Sequence, residues 1–90
     1  MVVMQAIIVY DVSVGRVTKI CQFLRRHMHW VQNSVFEGEL SEADLQKVKN
    51  GIKDIIKEKE DSVLIFTIPN SNWLKKERMG VEKNEISYIL

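Results

Sequence analysis

Asp11 is the residue around which chemistry in this chain would be organised. It closes an apolar run from Val2 to Tyr10 and opens the loop before a helical pattern. A carboxylate at a strand end is a hard oxygen ligand of the kind magnesium takes while keeping several waters, and manganese can stand in for it. The plainer use of the same carboxylate is to cap the helix that follows. Arg16, Lys19 and Arg26 recur at helical spacing with Arg25 close by, and such a cationic face suits a phosphate backbone, or else is solvated helix surface. Tyr10 and Phe36 offer rings that can stack a base, although aromatics on strands usually pack. His27 and His29 are candidates for general acid–base work, or simply mark the exposed end of the helix. Cys21 falls on the apolar stripe of that helix and reads as core.

No Gly-rich phosphate loop, Ser/His/Asp grouping or paired Cys-x-x-Cys is present in the sequence. Cys21 is the sole cysteine, so no internal disulfide forms. That agrees with a reducing, cytoplasmic setting. His27, His29 and Cys21 lack a second ligand cluster, so no zinc site is indicated.

The elements holding these residues must come from 90 residues, 46% hydrophobic and 28% charged, with 13 Lys/Arg against 12 Asp/Glu. This is an ordinary globular mixture, which excludes a disordered tail, a collagenous repeat or a histone-like arm. So short a chain has a marginal core, and such domains are often rescued by a metal, disulfides or a partner chain. The start lacks a basic leader, and its apolar run is far shorter than the ~20 residues that span a bilayer, so no membrane association is expected. The near-neutral total hides an asymmetry: up to Phe36 the bases Arg16, Lys19, Arg25 and Arg26 face one acid, Asp11.

The β-branched run predicts a strand ending at Tyr10-Asp11. Val17, Ile20, Cys21, Leu24 and Met28 predict a helix from about Gly15 to His27. Trp30 to Leu40 reads as two short strands in a hairpin about Asn33-Ser34, or as one long bulged strand. Ser41, with Asp44 three residues on, caps a helix whose stripe is Leu45, Val48, Ile52, Ile55 and Ile56. Gly51 inside that helix costs about 1 kcal/mol relative to Ala. Val63 to Ile68 is a strand stopped by Pro69, and Ile86 to Leu90 again has strand character. The order is the ferredoxin-like α+β plan, β-α-β-β-α-β, with an extra C-terminal strand. The expected organisation is one domain over 1–90, with 1–69 as core and 70–90 as a tail used in dimerisation.

In that plan both helices cover one sheet face, and the other should alternate polar with apolar if it meets water. Ile7-Ile8-Val9 and Val63-Leu64-Ile65-Phe66 do not alternate. The expectation is therefore an isologous homodimer packed sheet to sheet, its C-terminal strands crossing to the partner; the alternative cover is the chain's own tail folded back. About a two-fold axis, two Asp11 carboxylates would approach each other. A magnesium ion shared between them can activate water against a phosphodiester.

Ile7-Ile8-Val9-Tyr10-Asp11-Val12, then Arg16, Lys19 and Phe23-Leu24-Arg25-Arg26, resemble the opening of the second CRISPR-associated protein family (Cas-two). Val31-Gln32-Asn33-Ser34-Val35-Phe36-Glu37 is similar to that family's V-Q-x-S-V-F-E segment, and Asp61-Ser62-Val63 and Met79-Gly80-Val81-Glu82-Lys83 also fit. The resemblance covers the whole chain. It implies ferredoxin-like homodimers that bridge dimers of the Cas-one integrase during CRISPR adaptation, when foreign DNA is inserted as a new spacer. It also implies a magnesium-dependent endonuclease acting on single-stranded RNA or double-stranded DNA. The family's metal-binding aspartate maps onto Asp11, its neighbouring tyrosine onto Tyr10, its helix arginine onto Arg16 and its phenylalanine onto Phe36. The nucleic-acid contacts expected beside them are Arg16, Lys19, Arg25 and Arg26. The family often has a basic residue just before V-Q, where this chain has Trp30. Two other functions compete with the enzyme: a non-catalytic DNA-binding scaffold of the integrase complex, and a related toxin-like RNA interferase.

Overall fold

The computed structural model describes residues 3–69, 74–81 and 83. Six elements follow in order: β1 (Val3–Asp11), α1 (Val14–Arg25), β2 (His29–Gln32), β3 (Val35–Ser41), α2 (Glu42–Ile55) and β4 (Ser62–Ile68). The strands form one antiparallel sheet in the order β2-β3-β1-β4. This is the ferredoxin-like plan expected from the sequence, with β1 and β3 as the two central strands. The expected strand over Ile86 to Leu90 lies outside the described residues. No helix among the described residues is long and apolar enough to cross a membrane.

α2 forms where local signals are strongest. Ser41 Oγ accepts a hydrogen bond from Asp44 N at 3.1 Å, and Glu42 and Asp44 place negative charge in the first turn. Leu45, Val48 and Ile52 are its buried stripe, with Ile55 and Ile56 partly buried beyond it. α1 is shorter than its pattern: Arg26 is the C-cap, and the N–H groups of His27 and Met28 both bond Leu24 O, at 3.0 and 2.8 Å, which closes the helix. Ile20 and Leu24 are buried on it, whereas Val17, expected in the core, is exposed.

The hairpin alternative is the one realised, and it carries a bulge as well. Asn33 adopts φ 46°, the left-handed conformation that Asn tolerates, and with Ser34 turns the chain from β2 into β3. The register shifts between Trp30 and Gln32. Trp30 Nε1 donates to Asn33 O at 3.0 Å across this turn.

The helices pack on the sheet face formed by Ala6, Ile8 and Tyr10 of β1 and Phe36 and Leu40 of β3, closing a core with Ile20, Leu24, Met28, Leu45, Val48 and Ile52. Gly51 allows the helices to meet. A β-carbon there would stand 2.1 Å from Phe23 Cζ, so the Phe23 ring occupies the space a side chain would need. The residue that looks costly by helix propensity is the one that lets the two helices approach.

Candidate functional site

Strand parity divides the candidate residues. Tyr10 points into the helix-covered core, so Asp11, the next residue along, faces the opposite side of the sheet. There it stands exposed at the end of β1, its register partner on β4 being Ser62. The same face carries Ile7 and Val9 of β1, half-buried, and Leu64 and Phe66 of β4, which are 56% and 53% exposed. Asp11 thus terminates an apolar surface that the chain's own helices do not cover.

Tyr10 and Phe36 lie on the other side. Phe36 is fully buried, Tyr10 nearly so, and their rings stack at 6.2 Å with an interplanar angle of 25°. Neither presents a face to a base or a phosphate in this chain. Burial pushes the Tyr10 hydroxyl above its usual pKa, reinforced by the Cys21 thiol and only partly offset by Ser34 and Arg25. Tyr10 therefore remains protonated at neutral pH and cannot serve there as a base.

Arg16 departs most from the sequence reading, which set it among free cations. Its Nε donates to Asp61 Oδ2 at 2.6 Å and its Nη2 to Asp61 Oδ1 at 3.0 Å, with Glu60 Oε1 a further 3.5 Å ion-pair partner. This is a bidentate fork, the strong form of an Arg–carboxylate pair. The Asp61 side chain is wholly buried and also accepts from Ser13 N at 3.0 Å and Lys57 N at 2.9 Å. The Arg16 guanidinium, opposed by burial and helped by those two backbone donors, holds the Asp61 carboxyl well below the usual carboxylate range. A carboxyl depressed on folding contributes stability that is full above its unfolded pKa and lost only as pH falls through the depressed value. Reading the sequence missed Asp61, because its partner lies 45 residues away and no spacing rule connects them.

Lys19, Arg25 and Arg26 are exposed on α1. The Arg25 guanidinium lies 5.6 Å from the Trp30 ring centroid, and its Nε donates to Cys21 Sγ at 3.5 Å. A cation therefore covers the ring that stands where the family often has a basic residue. His27 and His29 line a cleft of about 370 Å³ with Gln5, Glu37, Gly38 and Glu39. Gln5 is six residues from Asp11 along β1, roughly 20 Å at strand rise, so this cleft and Asp11 are separate places. At its rim Lys76 pairs with Glu37, and Arg78 Nη1 donates to Gln32 Oε1 at 3.3 Å, which lays part of the tail along the β2–β3 side.

The family model described as CRISPR associated protein Cas2 matches residues 4–76, from β1 into the tail. The chain belongs to the Cas2 family. One relative, the CRISPR-associated endoribonuclease Cas2 of Methanocaldococcus jannaschii, is 54% identical over 87 residues, 97% of this chain and 76% of its own. The Cas2 protein so named in Thermococcus kodakarensis is 52% identical over 97% of this chain and all of its own. A crystal structure of a Cas2 protein superposes with a TM-score of 0.82 at 44% identity, covering 90% of this chain and 91% of that one. Streptococcus pyogenes Cas2, crystallised at pH 6.5, gives 0.74 at 28% identity over 84% and 99% of the two chains. The ferredoxin-like sheet is thus the Cas2 fold, and Asp11 closes its first strand.

Proposed function

We propose that this chain is a magnesium-dependent endonuclease of CRISPR adaptation, cutting single-stranded RNA or double-stranded DNA as a homodimer, and that the same dimer bridges Cas-one integrase dimers and binds their DNA. The observation that carries this reading is the side of the sheet on which Asp11 stands. It shares with Ile7, Val9, Leu64 and Phe66 the face that no helix among the described residues covers. Stacking two such faces about a two-fold axis buries the apolar patch and sets the two Asp11 residues on one shared surface. Relatives of this chain are named CRISPR-associated endoribonucleases, which supports cleavage of RNA.

The donor set fits a metal only in that dimer. Among the described residues no group of three or more His, Cys, Asp or Glu side chains gathers. One Asp11 offers a single hard carboxylate; two, with waters completing the shell, are what magnesium accepts. Bound there, the ion would neutralise phosphate charge and supply an activated water. The chain's own part is to draw the backbone in through Lys19, Arg25 and Arg26, and to hold β1 in place by the packing of Tyr10 on Phe36. The scaffold reading is favoured by one further observation: of the four cations along α1 and its C-cap, Lys19, Arg25 and Arg26 are exposed where a duplex backbone could meet them.

Asp11→Asn, assayed for cleavage and separately for spacer acquisition with the integrase, tests both readings. Cleavage in magnesium or manganese should fall by at least ~100-fold. Acquisition that survives this loss assigns chemistry and scaffold to separate parts of the dimer. Cleavage that persists in the variant would sink the role given to Asp11.

A further inference from the structure

Asp61 is spent entirely inside the protein. Its carboxylate accepts four hydrogen bonds, from Arg16 Nε, Arg16 Nη2, Ser13 N and Lys57 N. Those donors sit on three separate pieces of chain: the loop after Asp11, the first turns of α1, and the α2–β4 connection. Ser13 is the N-cap of α1, yet its own side chain makes no capping bond and the first turn contains no acid. Asp61 supplies that missing negative charge from the far side of the sequence, where the helix dipole favours it. The residue after Asp61, Ser62, is the register partner of Asp11 on β4. Asp11 is therefore bracketed by the Asp61-Ser62 pair: across the ladder at its own position, and through Ser13 N two residues later.

We propose that Asp61 is the positioning residue of the Asp11 site, with Arg16 acting as its counter-ion and not as a phosphate contact. This rests on the reading of Asp11 as the catalytic carboxylate. The physical case is one of tolerance. A ligand carboxylate must be held within about 0.5 Å of its working place, and Asp11 is the last residue of β1, paired on the β4 side only, where the strand gives way to a short loop. One buried, fully satisfied carboxylate fixes that loop to two other elements together. The Arg16 side chain that neutralises it is 16% exposed. Its Nε–Nη2 edge is spent on Asp61 and its Nη2 also meets Glu60 at 3.5 Å, so the charge it could lend a phosphate is already countered by two carboxylates.

The test is a mutant cycle with three readouts. Asp61→Asn and Arg16→Gln are made singly and together; the double variant leaves no buried charge without a partner and stays folded if either single variant does not. Kinetics on single-stranded RNA with manganese should show kcat lowered roughly 10- to 100-fold in each variant with KM nearly unchanged. The double variant should be no worse than the worse single one, since the two residues act as a unit. Arg16→Lys, which keeps the charge but loses the fork, should fall in kcat with the single variants. Amide hydrogen exchange, which needs no activity, should show protection at Ser13 and Lys57 falling about tenfold or more in Asp61→Asn, while Ile8 in the sheet centre keeps its own.

Multiplying effects in the double variant, or a rise in KM with kcat intact for Arg16→Lys, would overturn the proposal in favour of a direct phosphate contact. Unchanged kcat in a destabilised but folded Asp61→Asn would reduce Asp61 to a structural residue. Asp11→Asn, run in parallel, separates the two readings. If it cleaves as the wild type does, the reading of Asp11 fails and takes the catalytic half of the proposal with it. Lost protection at Ser13 would then still establish that Asp61 fixes the loop.

Discussion

The two faces of the sheet both carry large apolar residues and meet opposite fates. On one, Ala6, Ile8, Tyr10 and Phe36 disappear beneath α1 and α2. On the other, Leu64 and Phe66 remain more than half exposed and Asp11 ends the row. The first face is completed by the chain's own helices; on the second, Ile7, Val9, Leu64 and Phe66 form an apolar patch beside Gln5, Glu37 and Glu39 that no helix among the described residues covers. Exposed patches of that kind mark interaction surfaces in a folded protein. The difference sets stability on the covered face and, under the proposed function, assembly and chemistry on the open one.

Substitutions on each face should therefore fail in different ways. Phe36→Ala, on the covered face, should cost about 3–5 kcal/mol in denaturant unfolding, through lost burial and the cavity left beside Tyr10. Phe66→Asp, on the open face, should leave the circular dichroism of the folded chain unchanged while halving the mass measured by light scattering. The proposed dimer would lose about 1.5–3 kcal/mol of apolar burial per copy, besides acquiring a charge. A Phe66→Asp protein that keeps its mass would show that this face is not the one that pairs.

Two smaller changes probe how the covering layer is held on. Gly51→Ala gains about 1 kcal/mol of helix propensity, but its methyl group meets the Phe23 ring, where overpacking costs typically ~1–3 kcal/mol. A net loss of roughly 1 kcal/mol in thermal or denaturant unfolding is expected, and a net gain would mean that the helices do not need this close approach. Ser41→Ala removes the α2 cap and should cost about 1 kcal/mol, with cleavage untouched.

Much of this was legible before the chain was folded. The hydroxyl of Ser41, Asp44 three residues later and the stripe of Leu45, Val48 and Ile52 lie within a few residues of one another, so α2 was readable along with its cap. The hairpin about Asn33-Ser34 was half readable: the turn residues were evident, but whether the strand breaks or only bulges depends on how β2 pairs with β3, and it does both. Asp11 stood out because it ends an apolar run. Tyr10 and Phe36 were left between packing and stacking a base for a definite reason. When both faces of a strand are apolar, periodicity does not say which face the helices will cover, and that one choice sends Tyr10 inward and Asp11 outward.

Arg16 and Gly51 show the same limit from another side. A helical wheel reports that Arg16 lies off the apolar stripe, but not that the α2–β4 connection passes over it carrying Asp61. Helix propensity assigns Gly51 a cost, and only the arrival of Phe23 from the other helix turns that cost into a requirement. The sequence by itself determined the kinds of element and their order, because caps, turns and periodicity act between residues close in the chain. Tertiary structure alone decided which sheet face became the core, what Arg16 neutralises and what holds the loop beside Asp11, because each depends on groups tens of residues apart meeting in space.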